Sequence, residues 1–299
     1  MTAADANLGF RCIDKCREKF FRFSHLAMAT TFEILISGHN QKYARQAAND
    51  AFTKLNHIEN RLSMFIENSD ISRINSAEKG QKVIIDIETC KCLCYAVELN
   101  RLTQGAFDIA FYAGKGLTSD KLNIDIQSCT AEKLQQGVKV DLGGIGKGWA
   151  VDEIIDNLKQ WKITNAFVNA GSSTIYGFAP GYDKGWPVKI SNPKNNKKLL
   201  FHSFLNGLAI AGSGLQFGPH ITNPKTTREI DEKFAAWSIA PDATTADALS
   251  TAFMVMEPAQ IEEFCEKNVD TASMIMLKSE TDQNVIMHFG QWPNMEQKL

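Results

Sequence analysis

The 299-residue sequence predicts an α+β fold, and three observations carry that prediction. Apolar residues recur every three or four positions in some segments and alternate in others, so helices and strands are interspersed. Gly, Pro and Asn turns separate the short strand candidates, as in antiparallel sheets rather than doubly wound parallel ones. No repeat of fixed period and no low-complexity linker divides the chain.

Residues 1–24 read as an N-terminal arm, mixed in charge and without a sustained period, ahead of one domain spanning 25–299. In ATTFEILISG, Thr31, Glu33 and Leu35 alternate against Phe32, Ile34 and Ile36, which predicts a strand. From Lys42 to Phe65 the residues Ala47, Ala51, Leu55, Ile58 and Leu62 form one apolar stripe, which predicts an amphipathic helix. KVIIDI reads as a strand and ETCKCLCYAVELNRLTQ as a helix stopped by Gly105. VKVDL is a further strand candidate, followed by the helix GWAVDEIIDNLKQW with Val151, Ile154, Ile155 and Leu158 inward. NAFVNAG, GWPVKISNP and LNGLAIAGS read as strands. TTADALSTAFMVM opens a helix, PAQIEEFCEKN is a shorter one begun by proline, and ASMIML with NVIMHFG forms a closing hairpin.

Formal net charge is −2 with no polybasic block, which speaks against non-specific nucleic-acid or membrane-surface binding. No stretch reaches the roughly 18 apolar residues of a membrane span. Arg11, Asp14, Lys15 and Arg17 break up the N-terminal region, so no secretory signal is read there and a cytoplasmic location is expected. The seven cysteines are odd in number and unevenly spread. In a helix Cys90 and Cys94 share a face while Cys92 points elsewhere, so reduced, buried thiols are expected rather than a metal cluster.

The stretch VKVDLGGIGKGWAVDEIIDNL places Gly143, Gly144, Gly146 and Gly148, with Lys147 among them, between an apolar run and a helix. Backbone N–H groups can approach an anion where no Cβ intervenes, and a helix start adds partial positive charge. The named phosphate loops fail: Asp141 and Gly148 break a Walker pattern, and Trp149 breaks a dinucleotide fingerprint. A tight strand-to-helix turn explains the stretch equally well. Asp247 and Thr251 lie four apart, which on a helix puts a carboxylate and a hydroxyl on one face, a spacing suited to a hard cation. By spacing alone they also fit an exposed helix start, and His220 alone fits a structural histidine.

The order of the blocks decides more than any one of them. VDLGGIGKGWAVD resembles the D-L-G-G-I-A-K-G-Y-A-V-D segment of the ApbE family, the FAD:protein FMN transferases. MATTFEI, RLSMFIENSDISRIN, GAFDIA, FVNAG, WPVKISNP, AIAGSG, HITNPKT and ATTADALSTAF resemble the family's other blocks, in its order, over about residues 26–256. The resemblance implies a T-fold-like layering of a largely antiparallel sheet with packed helices. It implies FAD as substrate, Mg²⁺ or another divalent cation, and FMN transfer to a threonine of an acceptor flavoprotein. FAD binding or hydrolysis to FMN and AMP is the alternative. By this resemblance Met28, Phe65, Ala106, Phe107 and Asp108 shape the flavin pocket, while Asp141, Gly143, Gly144 and Lys147 line the phosphates. It also implies that the Gly146 carbonyl, Asp247 and Thr251 hold the cation, and that His220 lies near the transferring phosphate.

The chain departs from the family pattern in places. Ser173 stands where a carboxylate is usual, Gly212 removes a hydroxyl, Asn223 replaces an aspartate and Thr227 a glycine. The segment 109–137 is short, which predicts a reduced wall over the flavin.

Overall fold

A computed structural model describes residues 11–12, 20–110, 116–180, 184–216, 218, 221–278 and 285–292. In chain order the strands and helices begin with β1 (Arg11–Cys12), β2 (Phe20–Ala27), β3 (Thr30–Ser37), α1 (Gln41–Leu62) and α2 (Asp70–Ser76). Next come β4 (Lys82–Ile84), α3 (Ile87–Leu102), β5 (Leu122–Asp125), β6 (Thr130–Lys133) and α4 (Gly146–Gln160). The strands β7 (Ala166–Ala170), β8 (Thr174–Phe178), β9 (Trp186–Asn192), β10 (Asn195–Leu205), β11 (Leu208–Gly214) and β12 (Lys233–Ala240) follow. The series closes with α5 (Ala243–Val255), α6 (Pro258–Lys267), β13 (Ala272–Leu277) and β14 (Ile286–Gly290).

Eight strands form one sheet in the order β14-β13-β12-β11-β8-β7-β3-β2, and each neighbouring pair is antiparallel. Alternation along the strands sends side chains to two separate cores. Ile34, Ile36, Val168, Ala209, Ala211, Ala236 and Ala240 face a helical layer containing α1, α4 and α5. Leu35, Phe167, Ile210, Trp237 and Ile239 face the opposite way, onto Trp186, Val188, Ile190, Phe201 and Leu205 of the small sheet β1-β9-β10. Each large side chain buried this way is worth about 1.5–3 kcal/mol. The alanines toward the helices let α5 lie close on β11 and β12, which fixes where its polar residues emerge. A third sheet, β4-β6-β5, packs beside α2 and α3.

The expected helices and the closing hairpin are present, and several expectations need correction. VKVDL is not a strand: Asn75 of α2 clamps it instead, its amide donating to Val140 O (2.9 Å) and accepting from Val140 N (2.6 Å), while Asp141 N donates to Ile109 O. Residues 20–24 are not an arm, because β2 starts at Phe20 and pairs with β3 from Phe20↔Ser37 to Ala27↔Thr30. The boundary drawn after residue 24 therefore falls inside that strand. Cys90 and Cys92 are buried and Cys94 half-buried on α3, all three as free thiols, and burial pushes Cys90 up to about 12. Among the described residues no helix is long and apolar enough to cross a membrane.

Candidate active site

Two helix starts meet at the site, and each helix supplies a carboxylate to first-turn donors of the other. The first turn of α4 has no side-chain cap of its own. Its Gly148 N–H donates instead to Asp247 Oδ2 of α5 at 2.9 Å. In return Asp152 of α4 accepts from the Ala243 and Thr244 N–H groups at the start of α5, both at 2.8 Å. Each carboxylate thereby satisfies donors that a helix cannot satisfy internally and lies favourably against the helix dipole. Burial nevertheless pushes Asp152 up to about 7, outweighing the lowering effect of the bonds from Thr244 and Ala243.

Glycine is required where the helices touch. A Cβ on Gly148 would sit 2.2 Å from Ala243 O and 2.8 Å from Asp247 Cβ. One on Gly144 would meet Thr251 Oγ1 at 3.2 Å and Phe107 Cε2 at 3.3 Å. The bare turn and the Asp247–Thr251 pair therefore converge. Asp247 is not on an exposed helix start: it is 3% exposed, and its second oxygen accepts from Thr174 Oγ1 at 3.0 Å. Thr251 Oγ1 lies 3.2 Å from Ser213 Oγ, which also bonds Ser250.

The glycine turn separates two cavities and contributes to both. The first, about 320 Å³, is lined by Ala106, Phe107, Asp108, Asp141, Gly143, Gly144, Lys147, Asp247 and Thr251 among others. The second, about 360 Å³, is lined by Met28, Glu59, Met64, Phe65, Asp141, Gly143, Gly146 and Lys147. Asp141, Gly143 and Lys147 belong to both, so the two spaces share one wall that carries a carboxylate and an ammonium group. Met28 N donates to Glu59 Oε1 at 2.7 Å, holding a residue with φ of 50° at the rim. Phe65 stands 86% exposed, a bare aromatic face beside an apolar cavity.

The residues grouped by resemblance around a flavin are thus divided, with Met28 and Phe65 in one cavity and Ala106, Phe107 and Asp108 in the other. The Asp108 carboxylate is engaged by protein donors, accepting from Ala110 N, Ser119 N and Asn100 Nδ2, and burial raises its pKa. Asp108 therefore ties the cavity wall to α3. Gly146 lines the second cavity while Asp247 and Thr251 line the first. His220 lies outside the described residues. Ser213, Thr174, Gln216, Ile221, Thr222 and Pro224 belong to the site or its support and were not singled out from sequence. Ser213 carried a signal in its place in the AIAGSG block, as did Ile221, Thr222 and Pro224 in the HITNPKT block.

The ApbE family profile matches residues 28–276. The chain is a member of the ApbE family. It is similar to an FAD:protein FMN transferase of Haemophilus influenzae, 24% identical over 292 residues and covering 84% of each chain. A Vibrio cholerae FAD:protein FMN transferase is 26% identical over 256 residues, covering 74% of this chain and 77% of that one. The crystal structure of Pseudomonas stutzeri flavinyl transferase ApbE in its apo form superposes with a TM-score of 0.79 at 21% identity, over 93% of this chain and 96% of that one. The Thermotoga maritima ApbE protein gives 0.78 at 24% identity, over 91% and 97%. Both of these ApbE structures thus share the fold seen here.

Proposed function

We propose that the chain is an FAD:protein FMN transferase, cleaving the FAD pyrophosphate and passing FMN to a threonine hydroxyl of an acceptor flavoprotein. The observation that carries this reading is the pair of adjacent cavities that share Asp141, Gly143 and Lys147 in their linings. FAD is two flat ring systems joined through a pyrophosphate, and it needs two slots with an anion-tolerant bridge between them. The bridge here has a helix start with little side-chain cover and the Lys147 ammonium, beside the Asp141 carboxylate, whose Oδ1 accepts from the Gly143 N–H at 2.8 Å.

The donor set fits a hard divalent cation. One carboxylate, Asp247, retains lone pairs beyond its two protein bonds, and the Thr251 hydroxyl lies one helical turn away. Such a site holds Mg²⁺ through a few protein oxygens together with substrate phosphate, and the Gly146 carbonyl is the third protein donor in this reading. When bound, the cation neutralises charge on the pyrophosphate oxygens. The chain's own groups do the rest. Lys147 places a positive charge over the bridge, and Ser213 orients the Thr251 hydroxyl. Phe65 offers its face to a flat ring without requiring a hydrogen bond.

In the transfer step the threonine oxygen forms a bond to the phosphorus of the FMN half. The bond from that phosphorus to the bridging oxygen breaks, and AMP leaves with that oxygen. The hydroxyl proton passes to a base, for which His220 is our candidate. Positioning and charge neutralisation carry most of the effect in such reactions. FAD hydrolysis is the second reading, favoured by Ser173 and Gly212, which line the first cavity in place of the family's usual carboxylate and hydroxyl. One assay separates them: with FAD, Mg²⁺ and a threonine-bearing acceptor the protein releases AMP in either case, and only transfer leaves flavin covalently on the threonine. Absence of both products sinks the proposal.

A further inference from the structure

A third cavity, about 410 Å³, opens beside the first and shares Ala106 with it. A single turn forms the partition. Thr222 and Pro224 face the first cavity, while Asn223 and Lys225 face the third. The turn is stiff: Asn223 Oδ1 accepts from Lys225 N at 2.9 Å and Thr226 N at 3.2 Å, and Thr227 N donates to Asn223 O. The groove floor is apolar, formed by Val255, Met256 and Phe264 with Leu102, which is 46% exposed.

The charges around the rim differ in how far they are used. Glu263 is paired with Lys267. Glu257 is held at the start of α6 through its backbone, its N–H donating to Gln260 Oε1 and its carbonyl accepting from Gln260 N, both at 2.9 Å. The Lys225 stem lies along Gly105, its Cε 3.5 Å from where a Cβ would be, and among the described residues its ammonium has no hydrogen-bond or ion-pair partner. A bound chain in this groove therefore meets an apolar floor and one unpaired cation, one turn away from the pyrophosphate cavity.

We propose that this groove seats the threonine-bearing segment of the acceptor protein, with an apolar side chain on the floor and a carboxylate against Lys225. The inference rests on the transferase reading and adds where the second substrate enters. The first two cavities accommodate the dinucleotide, so the polypeptide needs its own surface. An extended strand advances about 3.3 Å per residue, so a hydroxyl a few residues from the anchor reaches across the partition. The apolar contact supplies affinity and the carboxylate supplies register, the usual division of labour in recognition of extended peptides.

The test uses the full chain with FAD, Mg²⁺ and a library of threonine-centred peptides randomised at the flanking positions, sorted by covalent flavin fluorescence. The expected labelled set is enriched in an apolar residue and in Asp or Glu at fixed offsets, the acid by about threefold, the scale of an exposed ion pair. Lys225→Glu reverses the acidic preference to a basic one, and Leu102→Asp erases the apolar one. Both variants keep the wild-type affinity for FAD, read by fluorescence titration without peptide. Labelled peptides without flank preference, or with a preference that Lys225→Glu leaves unchanged, overturn the groove while leaving the transferase reading intact. AMP release with no labelled peptide removes the transfer reading and this inference with it. Sedimentation showing a dimer that Leu102→Asp dissociates makes a second copy the occupant and also overturns the proposal.

Discussion

Replacing Gly148 with alanine tests whether the site depends on two helices in direct backbone contact. The added Cβ would lie 2.2 Å from Ala243 O, 2.7 Å from Ala243 C and 2.8 Å from Asp247 Cβ. Ordinary carbon contacts lie near 3.5 Å, so α4 and α5 must part by about 1 Å. All the atoms met are backbone or Cβ, so no flexible side-chain end can yield. The cost falls toward the upper end of overpacking, about 3 kcal/mol. At roughly 2–4 °C per kcal/mol that is a melting temperature lower by about 6–12 °C. The same shift stretches the Gly148 N–H to Asp247 bond and moves the carboxylate by a distance that costs on the order of 100-fold in turnover. The paired control is Gly146→Ala, where the nearest atom is Leu142 Cβ at 3.9 Å, and it should melt no lower than wild type. Calorimetry and the AMP-release assay read both variants. Gly148→Ala with wild-type melting and wild-type turnover would refute the packing argument.

Three further outcomes follow from the same geometry. Asp247→Asn should lower metal-dependent AMP release by on the order of 100-fold or more, while circular dichroism stays native, since one charge is removed with little change in shape. Full activity in that variant removes Asp247 from the cation site. Phe65→Ala should leave melting unchanged, because the ring is 86% exposed, and weaken FAD binding by about tenfold, the loss of one stacking face. Fluorescence titration decides it, and unchanged affinity takes Phe65 out of the site. Asp152, raised to about 7 by burial, keeps its proton in the folded state at pH values where the unfolded carboxyl has lost it. Its stabilising contribution is full below about pH 4 and is lost as pH rises toward 7, at a slope of at most about 1.4 kcal/mol per pH unit. The difference in stability between wild type and Asp152→Asn should therefore shrink across that window, and parallel curves from pH 4.5 to 8 count against the assignment.

Legibility in the sequence followed burial pattern. The helices α1 and α4 were readable because each buries one stripe and exposes the rest. The strands β8 and β12 were not, because TIYGF is buried throughout and KFAAWSIA nearly so, which erases polar–apolar alternation. The edge strand β2 hid for the opposite reason: Arg22, Ser24 and Leu26 are exposed, and a charged run precedes them. VKVDL misled because Val138 and Val140 are buried like strand residues, yet the amide of Asn75 satisfies the backbone in place of a neighbouring strand. Around the site, glycines and the Asp247–Thr251 spacing were visible as unusual patterns. Thr174 and Ser213 were not, since a hydroxyl becomes informative only once folding brings it to a carboxylate or another hydroxyl. The reciprocal capping by Asp152 and Asp247 links positions 91 to 99 residues apart, beyond the reach of any local spacing rule.

The central claim is that one dinucleotide spans both cavities with its pyrophosphate over the Gly143–Lys147 strip. A crystal structure of the protein soaked with FAD and Mg²⁺ tests it most directly. The account predicts the pyrophosphate beside Lys147 and a cation about 2.1 Å from oxygens of Asp247 and Thr251. Pyrophosphate density away from that strip, or a cation held by other residues, would contradict it.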